Sequence, residues 1–262
     1  MRKNKMRELL REGKPSIGTH VLNTWPSMVE VIGETGLFDY VQFDGEYAPY
    51  DLYALENFAR AVDLFDHMSS VFKVDQEPRI YLAQRAIGSG FQNLLFADIR
   101  SIQDAEQCVR AVRPETPEGK GILGCHMRRD VGFGREGGSV QYVRALNDVV
   151  IILMIEKKEA VDHLEEILTV QGVDMVTFGY CDYAMSIGLP GQPRHPKVKE
   201  AERKTIETAL KMGVPPRMET NNLEEARYYI DLGVRHLCVG WDLVILREWW
   251  KENGEVLRKL VS

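Results

Sequence analysis

Short apolar runs alternate with amphipathic helical patterns along the whole chain. The strongest run, residues 149–155, is seven apolar residues long and ends at Glu156. A second, residues 173–178, ends in Gly179-Tyr180-Cys181-Asp182. Similar runs at 16–22, 40–43, 68–74, 92–96, 214–218 and 236–239 complete a set of eight predicted strands. Helical periodicity fills the intervals, most clearly at 101–113, where Ile102, Ala105, Cys108, Val109 and Val112 form one stripe. Strands that are apolar throughout belong to a parallel sheet covered on both faces. The segments GVDMVTFG and GVRHLCVG read as one strand unit used twice. No GxGxxG follows the first strand and no edge strand is evident. The pattern therefore predicts a closed TIM (β/α)8 barrel rather than an open doubly wound sheet, with residues 1–262 as one domain.

Two stretches depart from that rhythm. Residues 114–138 hold seven glycines and two prolines. They predict a long excursion over the active face, because long loops in compact domains are usually functional. Met6, Leu9 and Leu10, in a basic N-terminal segment without an apolar signal core, predict a short surface helix.

Composition narrows the function classes. The 262 residues carry a formal net charge of −6 and are 44% hydrophobic and 27% charged. The acids and bases are interspersed. This balance disfavours nucleic acid and leaves no polybasic membrane patch. No apolar run approaches the ~20 residues of a membrane-spanning helix. Cys108, Cys125, Cys181 and Cys238 show no CxxC spacing, and a cytoplasmic chain with reduced thiols is expected.

In such a barrel the chemistry sits at the C-terminal ends of the strands. Those ends offer His20, Asp44 with Glu46, Lys73, Glu156, Asp182, Glu219, and Trp241 with Asp242. Glu156 and Asp182 are separated by about one β/α unit of a barrel in which ~250 residues make eight. Two carboxylates on neighbouring strand ends suit a hard divalent cation. They equally suit helix first turns, where acids are ordinary. The Gly179 turn opens a helix whose free N–H groups suit a substrate carboxylate.

The segments FDYVQFDGEYAPYDL, GFQNLLF, VVIILMIE, GVDMVTFGYCDYAMSIGLPGQPRHPKV and GVRHLCVG together resemble the HpcH/HpaI family of class II pyruvate aldolases. The resemblance spans roughly residues 18–241. It implies a barrel of the phosphoenolpyruvate/pyruvate type, assembled as a hexamer (a trimer of dimers) with the C-terminal helix exchanged between subunits. It also implies cleavage of a 4-hydroxy-2-oxo acid to pyruvate, or a related 2-oxo acid, and an aldehyde. A divalent ion (Mg²⁺, Mn²⁺ or Co²⁺) would be held by Glu156 and Asp182, with Gly179, Tyr180 and Cys181 near the substrate carboxylate. Such an ion stabilises the enolate that follows loss of a methyl proton.

The chain also departs from that family's pattern. Tyr47 stands where the family has its histidine base, and the position of that histidine's aspartate partner falls near Gly88. Lys73 stands for an arginine, and Met154 for a glutamine. Tyr47 is a weak base unless a cation such as Lys73 lowers its pKa. His20 is the other candidate for proton transfer. His126, with Arg128 and Arg129, is a candidate for meeting an anionic substrate, and His195 for a structural or interface role. Besides an aldolase, an oxaloacetate-type decarboxylase and a non-catalytic 2-oxo-acid-binding barrel fit the same residues.

Overall fold

The computed structural model describes residues 2–262. After a first helix, α1 (Lys5–Arg11), strands and helices alternate: β1 (Ser16–Val21), α2 (Pro26–Glu34), β2 (Tyr40–Asp44), α3 (Leu52–Val62), β3 (Ser69–Val74), α4 (Arg79–Ser89), β4 (Asn93–Ile99) and α5 (Ile102–Val112). A 3₁₀ turn at Arg129–Gly134 precedes α6 (Val140–Asp148) and β5 (Val150–Ile155). Then come α7 (Lys158–Asp162), α8 (Leu164–Leu168), β6 (Met175–Phe178), α9 (Tyr180–Ser186) and α10 (Pro196–Met212). The chain closes with β7 (Arg217–Thr220), α11 (Leu223–Asp231), β8 (His236–Trp241) and α12 (Asp242–Leu260).

The eight strands form one parallel sheet in the order β6-β5-β4-β3-β2-β1-β8-β7. The β6–β7 seam is held by a single bridge between Val176 and Pro216. Val176 N donates to the Pro215 carbonyl at 3.2 Å, while Pro215 and Pro216 have no N–H to give in return. The eightfold alternation is thus a TIM barrel, as the apolar runs predict. All six residues of β5 are buried. Local signals agree with the global fold: Ser101 and Asp104 close a reciprocal capping box at the start of α5, a device of the order of 1 kcal/mol.

The N-terminal helix is not a surface helix. Met6 is fully buried against the interior layer of Tyr40, Val71, Leu95, Val150 and Cys238. Asn4 bonds Asn93 Oδ1 at 2.7 Å and the Asp148 carbonyl at 2.8 Å. Arg7 grips both oxygens of Asp174 at 2.6 Å. α1 therefore plugs the barrel at the strand N-termini, the end away from the chemistry. Its few apolar residues resemble a surface helix because the contacts that bury them come from five different strands.

The glycine-rich segment is likewise corrected. It leaves the end of α5 and lies along α4: Arg128 Nη1 bonds the Gln84 carbonyl at 2.8 Å and Arg129 Nη1 the Ser89 carbonyl at 3.2 Å. Helices here run back against the strands, so this excursion sits at the N-terminal end of the barrel and not over the active face.

Candidate active site

The strand mouth gathers acids and bases on an otherwise apolar barrel. Alternation along β2 turns Tyr40, Gln42 and Asp44 to the interior. Gln42 Nε2 bonds Asp44 Oδ1 at 2.6 Å, and Gln42 Oε1 accepts from Arg217 Nη2 at 2.6 Å. Fully buried Arg217 also bonds the Tyr40 hydroxyl and Glu219 Oε1, both at 2.9 Å. Burial opposes the charge on Glu219, but Arg217, His20 and Lys73 outweigh it and hold the carboxyl well below its ordinary range. The sequence exposes this network only through polar residues at alternate strand positions. The partners lie on strands far apart in the chain.

On β1, buried His20 points Nδ1 at Asp44 Oδ2, 3.0 Å away. Trp241 Nε1 approaches the same nitrogen. Asp44 calls for a donor at Nδ1 and the Trp241 indole N–H for an acceptor, and one ring nitrogen cannot be both; with Nδ1–H given to Asp44, the Trp241 N–H has no acceptor there. Nε2 has no hydrogen-bond partner among the described residues. A histidine–aspartate pair therefore exists at the mouth, built from β1 and β2. Gly88, by contrast, is buried near the end of α4, where a Cβ would run into Arg128.

Tyr47 and Lys73 form a second unit. Lys73 Nζ donates to the Tyr47 hydroxyl at 2.6 Å and lies 2.6 Å from Glu46 Oε2. Burial works against the ammonium, but Tyr47, Glu219, Glu46 and Asp44 outweigh it, and the Lys73 pKa rises. For Tyr47, burial raises the phenol pKa, and Lys73 does not reverse that. Lys73 alone therefore does not lower the Tyr47 pKa, and the phenol oxygen accepts from its ammonium.

Glu156, at the end of β5, is 2% exposed. Its Oε1 accepts from the Asp98 backbone N–H at 2.7 Å. Burial raises its pKa to about 7, with Asp182 and Asp98 adding to the rise and Lys73 and the Asp98 N–H opposing it. Gly179 gives the carboxylate its room: a Cβ there would lie 2.5 Å from Oε2 and 2.7 Å from the Glu156 Cβ. Met154 Sδ borders the same space at 3.3 Å. Asp182 stands in the first turn of α9. Lys157 Nζ touches Asp98 Oδ1 at 2.6 Å and Asp182 Oδ1 at 3.1 Å. Two aspartates thus share one ammonium beside Glu156, and the three carboxylates are a donor set that fits a hard divalent cation.

Among the described residues, the group of three metal-ligating side chains whose donor atoms all lie within 4.8 Å of one another is instead His20 with Glu219 and Cys238. It fits a cation poorly. Arg217 already neutralises Glu219, and burial pushes the Cys238 thiol up to about 12. Of the remaining sequence candidates, Tyr180 is half-buried on the first turn of α9 and Cys181 is exposed. His126 does not join the site. It belongs to the excursion at the other end of the barrel, where it stacks edge-on against Tyr142 and lies 3.5 Å from Asp130. His195 caps α10 by accepting from Lys197 N. Asp242 is taken up by the backbone N–H groups of Leu22 and Leu243.

Residues 17–241 match the model of the HpcH/HpaI aldolase/citrate lyase family. The chain belongs to that family. The HpcH/HpaI relatives include a pyruvate aldolase of Rhizobium etli, 32% identical over 244 residues that cover 93% of each chain. A 4-hydroxy-2-oxo-heptane-1,7-dioate aldolase of Shigella boydii is 28% identical, over 93% of this chain and 90% of that one. Among solved structures, an HpcH/HpaI aldolase/citrate lyase family protein from Burkholderia cenocepacia superposes with a TM-score of 0.88 at 28% identity, covering 99% of this chain and all of that one. An HpcH/HpaI aldolase from Desulfitobacterium hafniense gives 0.85 at 25% identity, with 97% and 96% covered.

Proposed function

We propose that this HpcH/HpaI aldolase acts on a 4-hydroxy-2-oxo acid, releasing pyruvate or a related 2-oxo acid and an aldehyde, with His20 moving the proton. The observation that carries the reading is the His20–Asp44 pair at 3.0 Å, on the same mouth as the Glu156–Asp182 carboxylates. β1 lies four strands round the barrel from β5, so His20 faces the carboxylates across the opening. Glu156 and Asp182 would hold a divalent ion, which polarises the 2-oxo acid and stabilises negative charge on its enolate oxygen.

The chain's own groups supply the rest. With Nδ1–H on Asp44, Nε2 takes the proton of the substrate's 4-hydroxyl as the C3–C4 bond breaks and delivers it to C3 of the enolate, giving pyruvate; in the reverse direction it removes a methyl proton and gives it to the new hydroxyl. Lys73 stays an ammonium and supplies charge near the developing enolate, without the two-pronged grip of an arginine. The Tyr47 O–H, with its oxygen on Lys73, donates to a substrate oxygen. Met154 and Gly179 shape the wall beside Glu156. α12 supports a homo-oligomer, in keeping with the hexamer the family resemblance implies: of its residues only Asp242 is buried, while Leu243, Ile245, Trp249, Trp250, Leu257 and Leu260 are exposed.

The test is exchange of pyruvate methyl protons in D₂O, followed by NMR with Mg²⁺ or Mn²⁺. Exchange is expected, with losses of about 10²–10⁴-fold in H20A and partial rescue by added imidazole. E156Q and D182N should lose exchange without rescue. Absence of exchange in protein shown to bind the ion would sink the reading. Release of CO₂ from oxaloacetate with no turnover of any 4-hydroxy-2-oxo acid would move the function to a decarboxylase.

A further inference from the structure

Two residues beside the carboxylate pair have no part in the reaction as described. Asp98, the last residue but one of β4, has φ +55°, a left-handed conformation that is strained for a non-glycine residue. That conformation does two things. It aims the Asp98 N–H at Glu156 Oε1, 2.7 Å away, and it sets Asp98 Oδ1 2.6 Å from Lys157 Nζ. Lys157 follows Glu156 directly in the chain and reaches Asp182 Oδ1 at 3.1 Å. The ammonium is 12% exposed and sits between the two aspartates.

We propose that Lys157 and Asp98 form a charge clamp that sets divalent-ion affinity, with Lys157 competing for Asp182 and Asp98 drawing that charge away. This rests on the reading of Glu156 and Asp182 as the metal pair. The physical basis is the sign of the charges. An ammonium on one oxygen of Asp182 repels a dication bound nearby and occupies a lone pair that the ion would use. Asp98 sits closer to the ammonium than Asp182 does, by 2.6 against 3.1 Å, and weakens both effects. The clamp also confines Asp182 to offering its other oxygen, because Oδ1 is held. The site thereby keeps an ammonium counter-charge when no ion is bound, so that three neighbouring carboxylates do not repel one another unscreened.

The experiment is Mn²⁺ binding by calorimetry and by EPR of free Mn²⁺, on full-length protein without substrate. K157M should bind Mn²⁺ more tightly, by about tenfold for a unit charge removed at short range in a partly solvated site. D98N should bind several-fold more weakly, and the double variant should bind like K157M, because Asp98 acts through Lys157. K157Q, which keeps a polar head, guards against a packing defect in K157M and should also bind more tightly. Weaker binding in both Lys157 variants would make Lys157 an organiser of Asp182 and overturn the proposal, as would tighter or unchanged binding in D98N. Mn²⁺ binding unaffected by E156Q would overturn the metal pair itself, and the clamp with it.

Discussion

At the residue scale, the mouth sets the proposed base, His20, apart from the Tyr47 hydroxyl. Tyr47 occupies the motif position of the family's histidine, but burial raises its pKa and Lys73 holds its oxygen. Y47F should therefore lower pyruvate proton exchange by about 10–100-fold, the loss of one hydrogen bond to a charged or developing-charge oxygen, and added imidazole should not restore it. Rescue of Y47F by imidazole would return the base to Tyr47. A second residue-scale prediction concerns stability. Burial depresses the His236 pKa to about 4, helped by Arg217 and Arg235, and its Nδ1 meets Ser16 Oγ at 2.9 Å. The native state thus binds this proton less readily than the unfolded chain, whose histidine titrates near 6.5. The stabilisation from keeping His236 neutral is complete above pH 6.5 and is lost as pH falls from 6.5 towards 4. H236N should flatten that part of the curve of unfolding free energy against pH, measured by urea titration; an unchanged slope would exclude His236 as its source.

At the element scale, the β6–α9 junction is where backbone freedom serves the site. Gly179 caps α9 without a side chain and lets Glu156 stand against it. G179A places a methyl carbon 2.5 Å from Oε2 and so must displace a carboxylate that is otherwise fixed by the Asp98 N–H. Mn²⁺ affinity should fall at least tenfold while the thermal midpoint drops by only a few degrees, since α9 is short and peripheral to the core. Equal affinity in G179A would separate Glu156 from the ion. The elements that carry this site were largely legible in the sequence. β5 and β6 are continuous apolar runs that stop at their acids, and Lys73 and His20 fall at strand ends as strand length dictates. What was not legible depends on contacts between distant strands. His20 finds Asp44 only once β1 and β2 pair, and Arg217 finds Gln42 only once the sheet closes. The excursion at 114–138 was misplaced because composition marks a long loop without saying which end of the barrel it leaves. Only the direction of α5, with Arg128 and Arg129 anchored on α4, settles that.

At the scale of the whole molecule, the barrel is closed at one end and unfinished at its side. α1 seals the strand N-termini with Met6, so substrates have access only from the mouth. α12 instead extends from β8 with its tryptophans uncovered: Trp249 is 61% and Trp250 62% exposed. Helices with an apolar stripe reach stability by burying it, and scattered single apolar residues need no such explanation. Here Leu243, Ile245, Trp249, Trp250, Val256, Leu257 and Leu260 are all exposed on one helix. A second copy of the chain is the partner expected to cover them; α12 is capped by Trp241, whose ring lies 5.0 Å from that of His20. Burying α12 between copies would fix Trp241, and through it the His20 ring proposed to move the proton. W249E/W250E should therefore lower the oligomeric mass measured by light scattering and, in the dissociated protein, weaken proton exchange while leaving Mn²⁺ affinity within about twofold, since α12 packs chiefly against β8 and β1. A variant that dissociates yet exchanges protons at the wild-type rate would uncouple the assembly from His20.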